Sequence, residues 1–209
     1  PMVIAMLVQA CYNIVDSIYI SRYSDAALAA VSYAFPAQNL MIGCATGIGV
    51  GVNSLLSRSL GEKNYKRANR CAGNGLILAL FGYLIFLVFG LFFAGWFISF
   101  QTSTADIIEY GREYLSVCCV FSFGIFGEIL FERLMQATGR TLLTMFTQGI
   151  GAIVNILLDP VFIFGYFGLP AMGAKGAAIA TVLGQIIAFI IAAILNHTKN
   201  LEVKLTRDA

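Results

Sequence analysis

Charge is scarce in this chain of 209 residues, where Asp, Glu, Lys and Arg together make up 11%, against roughly 25% in an average soluble domain. That scarcity argues against a soluble globule. The charges are also absent from whole stretches, with none at 26–57, 71–105, 114–127, 141–158 or 176–196. A formal net charge of +2 leaves no basic patch for nucleic acid, so a nucleic-acid partner is not expected. Histidine occurs once, as His197, which gives a metal centre or a serine–histidine active site little to build on. Cys11, Cys44, Cys71, Cys118 and Cys119 lack C-x-x-C spacing and read as small apolar side chains. No cleavable leader is visible, since Pro1 opens directly into an apolar stretch without a basic flank; the chain is expected to begin inside a larger protein.

What is abundant is apolar: 59% of the residues are AVILMFWYC. About 20 such residues in a helix cross the ~30 Å hydrocarbon layer at 1.5 Å per residue. The pattern predicts six helices at approximately 1–20, 29–56, 71–97, 110–137, 141–167 and 174–196, followed by a tail at 197–209. The runs are too long, and too little alternating, for barrel strands. Gly61, Gly139 and the Gly168/Pro170 pair mark helix ends, and no linker is long enough to divide the bundle. Arg58, Lys63, Lys66, Arg67, Arg70, Arg133, Arg140, Lys199, Lys204 and Arg207 fall on one side, with only Arg22, Arg112 and Lys175 on the other. The first group is expected in the cytoplasm, with both chain ends.

Gly43, Gly47 and Gly51 recur at four-residue intervals, and we expect them to pack a neighbouring helix closely. Pro36 and Pro160 each free a backbone carbonyl. The stretch 61–67 reads as a solvated loop. Asp16 and Asp159 stand out, because an ionisable group within a span costs about 2.5–3.5 kcal/mol on insertion scales. Counted from the outer helix ends, both fall roughly 9–14 Å below the boundary. Asn155 lies one turn from Asp159, Tyr12 one turn from Asp16, and Thr181 at comparable depth in the sixth helix. These oxygens predict a buried site for a proton or a hard cation such as sodium, unless they serve only to fix helix packing. On the fourth helix, Glu132 and Arg133 are close enough to the inner end to snorkel and read as interfacial. Glu128 lies deeper, where it could line a cavity open to the cytoplasm or relay protons.

Several segments carry a resemblance to a known family. Tyr12-Asn13-Ile14-Val15-Asp16 resembles helix one of the multidrug and toxic compound extrusion (MATE) transporters. Phe131-Glu132-Arg133-Leu134-Met135-Gln136-Ala137-Thr138-Gly139-Arg140 is similar to the inner end of that family's helix four. Asn155-Ile156-Leu157-Leu158-Asp159-Pro160-Val161-Phe162-Ile163-Phe164, followed by Gly173, Gly176-Ala177-Ala178-Ile179-Ala180-Thr181 and Gln185, is similar to its helix five and six pattern. The resemblance implies an all-α membrane protein of twelve helices in two lobes, with this chain as the amino-terminal lobe of six.

By the same resemblance, Asp16 matches the helix-one acid that responds to protonation or cation binding. Asn155, Asp159 and Thr181 match the amino-lobe cation site, and Tyr12 an aromatic of its wall. Pro1 falls where the family carries a proline associated with bending. The function implied is an antiporter of the plasma membrane, not an enzyme, exporting amphipathic or cationic organic compounds against a proton or sodium ion, with no other cofactor. Its partners would be the small-molecule substrates, the bilayer and the carboxy-terminal lobe. Tyr33, Gln38 and Asn39 are polar candidates for the substrate cavity. A lipid-linked oligosaccharide flippase, an intramembrane enzyme using the Asp16/Asp159 pair and a purely structural subunit are the alternatives. The first calls for more buried Lys and Arg than the spans hold, and the second for further catalytic groups.

Overall fold

The computed structural model describes residues 2–200 and 202–203, without the side chains of 2–6, 8–10 and 12. Its elements in order are α1 (Met2–Tyr23), α2 (Asp25–Gly61), α3 (Tyr65–Phe92), α4 (Ala94–Ser99), α5 (Ala105–Val120), α6 (Phe123–Ala137), α7 (Thr141–Phe164), a 3-10 turn (Tyr166–Gly168) and α8 (Gly173–Lys199). No strand occurs among the described residues. The helices α2, α3, α7 and α8 are each long and apolar enough to cross a membrane, and α5 with α6 pass together as one bent span. With α1, whose 22 residues reach ~33 Å, they make an all-α bundle of six rods.

Local chemistry sets the ends. Ser24 caps α2 by accepting from the Ala26 amide at 3.2 Å, and Asn64 caps α3 by accepting from Arg67 at 3.0 Å. Gly165 and Gly139 adopt φ of 76° and 78°, the left-handed conformation in which a side chain is strained. At the α2–α3 turn the left-handed residue is Lys63, with φ 56°, while Gly61 is the last residue of α2.

Two of the expected rods are interrupted. The single helix expected over 110–137 is α5 and α6, bent by 46°. At the break the Ser122 amide bonds Cys119 O and the Gly124 amide bonds Phe121 O, three-residue spacings that tighten the turn, and the Ser122/Gly124 pair is what permits a sharp kink without proline. The helix expected over 71–97 divides at Phe93 into α3 and α4.

Packing follows the membrane pattern of small residues inside and large apolar ones outside. On α2 the buried face carries Ala27, Ala30, Ala34, Ala37, Met41, Ala45, Gly49, Val52 and Leu56. By contrast Leu76, Ile77, Leu80, Phe81, Leu84 and Ile85 of α3 are exposed, as lipid-facing side chains should be. Gly43, Gly47 and Gly51 correct an expectation: a Cβ at any of them would meet nothing within 4 Å among the described residues, whereas Gly49 lies against Arg133 and Ile129. The glycine row sits two residues, about 200° of helix rotation, from Ala45 and Gly49, and so points away from this bundle. The packing that positions the polar residues is of α7 against α8 and α1, and of α8 against α5 and α6.

Candidate functional site

Helices α7 and α8 pack closely against each other. A Cβ on Gly184 would stand 2.8 Å from the Gly151 carbonyl oxygen and 3.3 Å from Asn155 Cβ, so only glycine fits there. That backbone contact lets two short side chains meet one turn further along. Asn155 Nδ2 donates to Thr181 Oγ1 at 3.2 Å and to Asp159 Oδ1, on its own helix, at 3.3 Å. Asp159 is fully buried and Asn155 is 3% exposed.

Asp16 joins this group from α1. It is 8% exposed and near enough to Asp159 for the two charges to interact. It also lies near Cys118, toward the end of α5. Three oxygens are left without a hydrogen-bond partner among the described residues: Asp16 Oδ1, Asn155 Oδ1 and Asp159 Oδ2. Buried acceptors in that condition are rare, because each forfeits its hydration. Two carboxylates and an amide carbonyl with spare lone pairs, beside a hydroxyl, match the donor set of a hard cation or a proton. Tyr12 lies on α1, but its side chain is outside the described residues.

The substrate candidates on α2 do not converge. Tyr33 and Asn39 are exposed, while Gln38 is buried and accepts from the Tyr114 hydroxyl of α5 at 3.3 Å. Glu132 also corrects the sequence reading. It is 4% exposed, and it accepts from Thr147 Oγ1 at 2.9 Å and Gln148 Nε2 at 2.7 Å, so it is an interior carboxylate held between α6 and α7. Arg133 is half-buried and donates to Gln136 at 2.7 Å. The sequence carried a signal for the Glu132 partners: Thr144, Thr147, Gly151, Asn155 and Asp159 recur every three or four residues, marking one small and polar face of α7. Glu128 lies on a cavity wall with Glu132, Asn155 and Thr181.

The MatE family model matches residues 1–161. The probable multidrug resistance protein YoeA of Bacillus subtilis is 27% identical over 192 residues, covering 91% of this chain and 42% of that protein. A FAD transporter of Shewanella oneidensis is 26% identical over 188 residues, covering 90% and 42%. Among solved structures, a MOP superfamily transporter from Pyrococcus furiosus, described with a binding pocket of reverse polarity, superposes with a TM-score of 0.91 at 29% identity, covering 99% of this chain and 45% of that one. The chain thus spans less than half the length of the relatives it matches.

Proposed function

Because the chain belongs to the multidrug and toxic compound extrusion (MATE) family, we propose that it forms the amino-terminal lobe of a cation-coupled antiporter exporting amphipathic, often cationic, organic compounds. The observation that carries this reading is the buried group of Asp16, Asn155, Asp159 and Thr181, with its three unpartnered oxygens. A structural role alone would leave two acids unexplained, since amides and hydroxyls fix membrane helices at lower desolvation cost. In this reading a proton or sodium ion is a transported substrate. It enters from the side on which α1 and α7 end at Tyr23 and Phe164, seats between the acids, and joins Asp16 to Asp159.

Since Asp16 and Asp159 stand on different helices, filling the site changes the balance between arrangements of α1 against α7. A ligand shifts such a balance only by its difference in affinity for the two states. Coupling therefore follows if the arrangement that holds the ion disfavours the organic substrate. The carboxy-terminal lobe supplies the other half of the substrate cavity, and rocking of the two lobes alternates access. Of the substrate candidates on α2, the exposed Tyr33 and Asn39 are the ones left available to an organic substrate in this reading. The protein resides in the plasma membrane with the Gly61, Ala137 and Lys199 helix ends in the cytoplasm.

The test is ethidium efflux from cells expressing the full-length protein, with surface expression measured in parallel. Asp16→Asn and Asp159→Asn keep the side-chain volume and remove the charge, and each is expected to reduce efflux at least tenfold. Efflux at wild-type rates in both variants would sink the reading. Imposing sodium and pH gradients separately on proteoliposomes identifies the ion.

A further inference from the structure

A cavity of about 140 Å³ lies between α2, α6, α7 and α8. One part of its wall is Asn155 and Thr181; another is Glu128, Glu132 and Gln148. Asn155 and Gln148 are seven residues apart on α7, so the two parts stand about 10 Å apart along the helix. A single water needs about 10–15 Å³ of such space, so the cavity has room for a chain of several waters between them.

The two acids are held differently. Glu132 has both oxygens engaged, Oε1 by Thr147 and Oε2 by Gln148. Glu128, one turn earlier and near enough for the two charges to interact, lines the same space. The Arg133 guanidinium is the one cationic group on the wall, and it is engaged by Gln136; the lining residues from α2, α7 and α8 are all uncharged. Two carboxylates lining one partly open cavity with one partly committed cation repel each other, and taking up a further cation relieves that repulsion. Asn155 links the two parts of the wall: it is 3% exposed, it lines this cavity, and its Oδ1, already counted in the Asp16/Asp159 group, has no hydrogen-bond partner among the described residues. An amide oxygen in that state is an unused cation ligand at the point where the cavity meets the Asp16/Asp159 group.

We propose that Glu128 and Glu132 form a second station for the coupling cation, connected through this cavity to the Asp16/Asp159 site and lying nearer the Thr141 end of α7. The inference rests on the reading of Asp16 and Asp159 as the first station. Glu132 is the fixed partner, oriented by Thr147 and Gln148, and Glu128 is the ligand free to turn toward the ion. If the ion is a proton, it leaves a hydronium in the cavity as water and forms an O–H bond on a Glu oxygen, with no redox change. If it is sodium, the same oxygens coordinate it. In both cases the cation moves about two turns along α7 and exchanges its ligands one at a time.

Counting bound cations on the full-length protein in detergent tests this. One arm measures binding of radioactive sodium at alkaline pH; the other measures proton uptake in sodium-free buffer as the pH is lowered. In whichever arm the wild type binds, the double variant Glu128→Gln/Glu132→Gln is expected to lose one cation equivalent and to retain the equivalent that Asp159→Asn removes. Loss of neither equivalent, or of both, by the Gln variant overturns the second station. If Asp159→Asn removes nothing while the Gln variant does, the first station fails and the proposed sequence fails with it. Should the double variant not fold, Glu128→Gln alone, which removes no hydrogen bond found among the described residues, must lose the same equivalent; retention of it overturns the proposal.

Discussion

Asn155 places both its hydrogen bonds on one nitrogen, at 3.2 and 3.3 Å, while its carbonyl oxygen stays unengaged. An amide whose function was only to tie α7 to α8 would gain by using both ends, so the spare oxygen is the telling atom. Asn155→Leu keeps the branched shape and deletes that oxygen together with the nitrogen that makes both hydrogen bonds. A hydrogen bond or ligand to a charged group contributes about 1.5–3 kcal/mol, and 1.4 kcal/mol is about tenfold in an equilibrium constant. We therefore expect the ion concentration, or hydrogen-ion activity, that half-saturates transport to rise about tenfold or more, with expression intact. An unchanged half-saturation in proteoliposomes would remove Asn155 from the site. Asp16 and Asp159 were legible in the sequence because a charge within an apolar run has no cheap explanation. Glu132 was not, because its distance from the helix end also allows snorkelling. Only the packing of α7, which brings Thr147 and Gln148 to it, decides between the two.

At the level of helices, close approach rests on a few glycines, and the structure separates those that matter from those that do not. The Gly176 Cα of α8 lies against the backbone carbonyl of Phe162 in α7, and the Met172 amide bonds that same oxygen at 3.1 Å. A methyl at Gly176 meets backbone, which cannot turn aside as a side chain can. Overpacking of this kind costs about 1–3 kcal/mol, and each kcal/mol lowers the melting temperature of a chain this size by about 2–4 °C. Gly176→Ala is thus expected to melt several degrees lower in detergent, and Gly47→Ala, with nothing within 4 Å of its Cβ among the described residues, to melt as the wild type does. Equal melting of the two variants would contradict the α7–α8 geometry that seats Thr181 beside Asn155. Four-residue spacing on α2 identified a shared face correctly but said nothing about the partner it meets, and the face used in this bundle is the alanine row. The break near Ser122 was hidden for a related reason: Ser and Gly permit a kink, but the packing of Gly124 against Ile186 of α8 selects it.

For the molecule as a whole, both proposals depend on which end of α7 faces the cytoplasm. The proposed orientation, with the α2–α3 turn inside and the α4–α5 loop outside, rests on the ten-to-three distribution of Lys and Arg. The α2–α3 turn carries Arg58 and Arg67, paired with Glu62 at 3.0 and 3.3 Å. All three are exposed, and such pairs add little to stability; what they supply is charge that resists translocation. Single cysteines at Lys63→Cys and Ser103→Cys, in a background with the native cysteines replaced by alanine, report the orientation through a membrane-impermeant maleimide. Ser103→Cys is expected to label in intact cells, and Lys63→Cys only after permeabilisation. The opposite pattern would invert the bundle. Asp16 and Asp159 would then be reached from the cytoplasm and Glu128 and Glu132 from outside, so an inward ion gradient would fill the two stations in the reverse order and could not drive export by the route proposed.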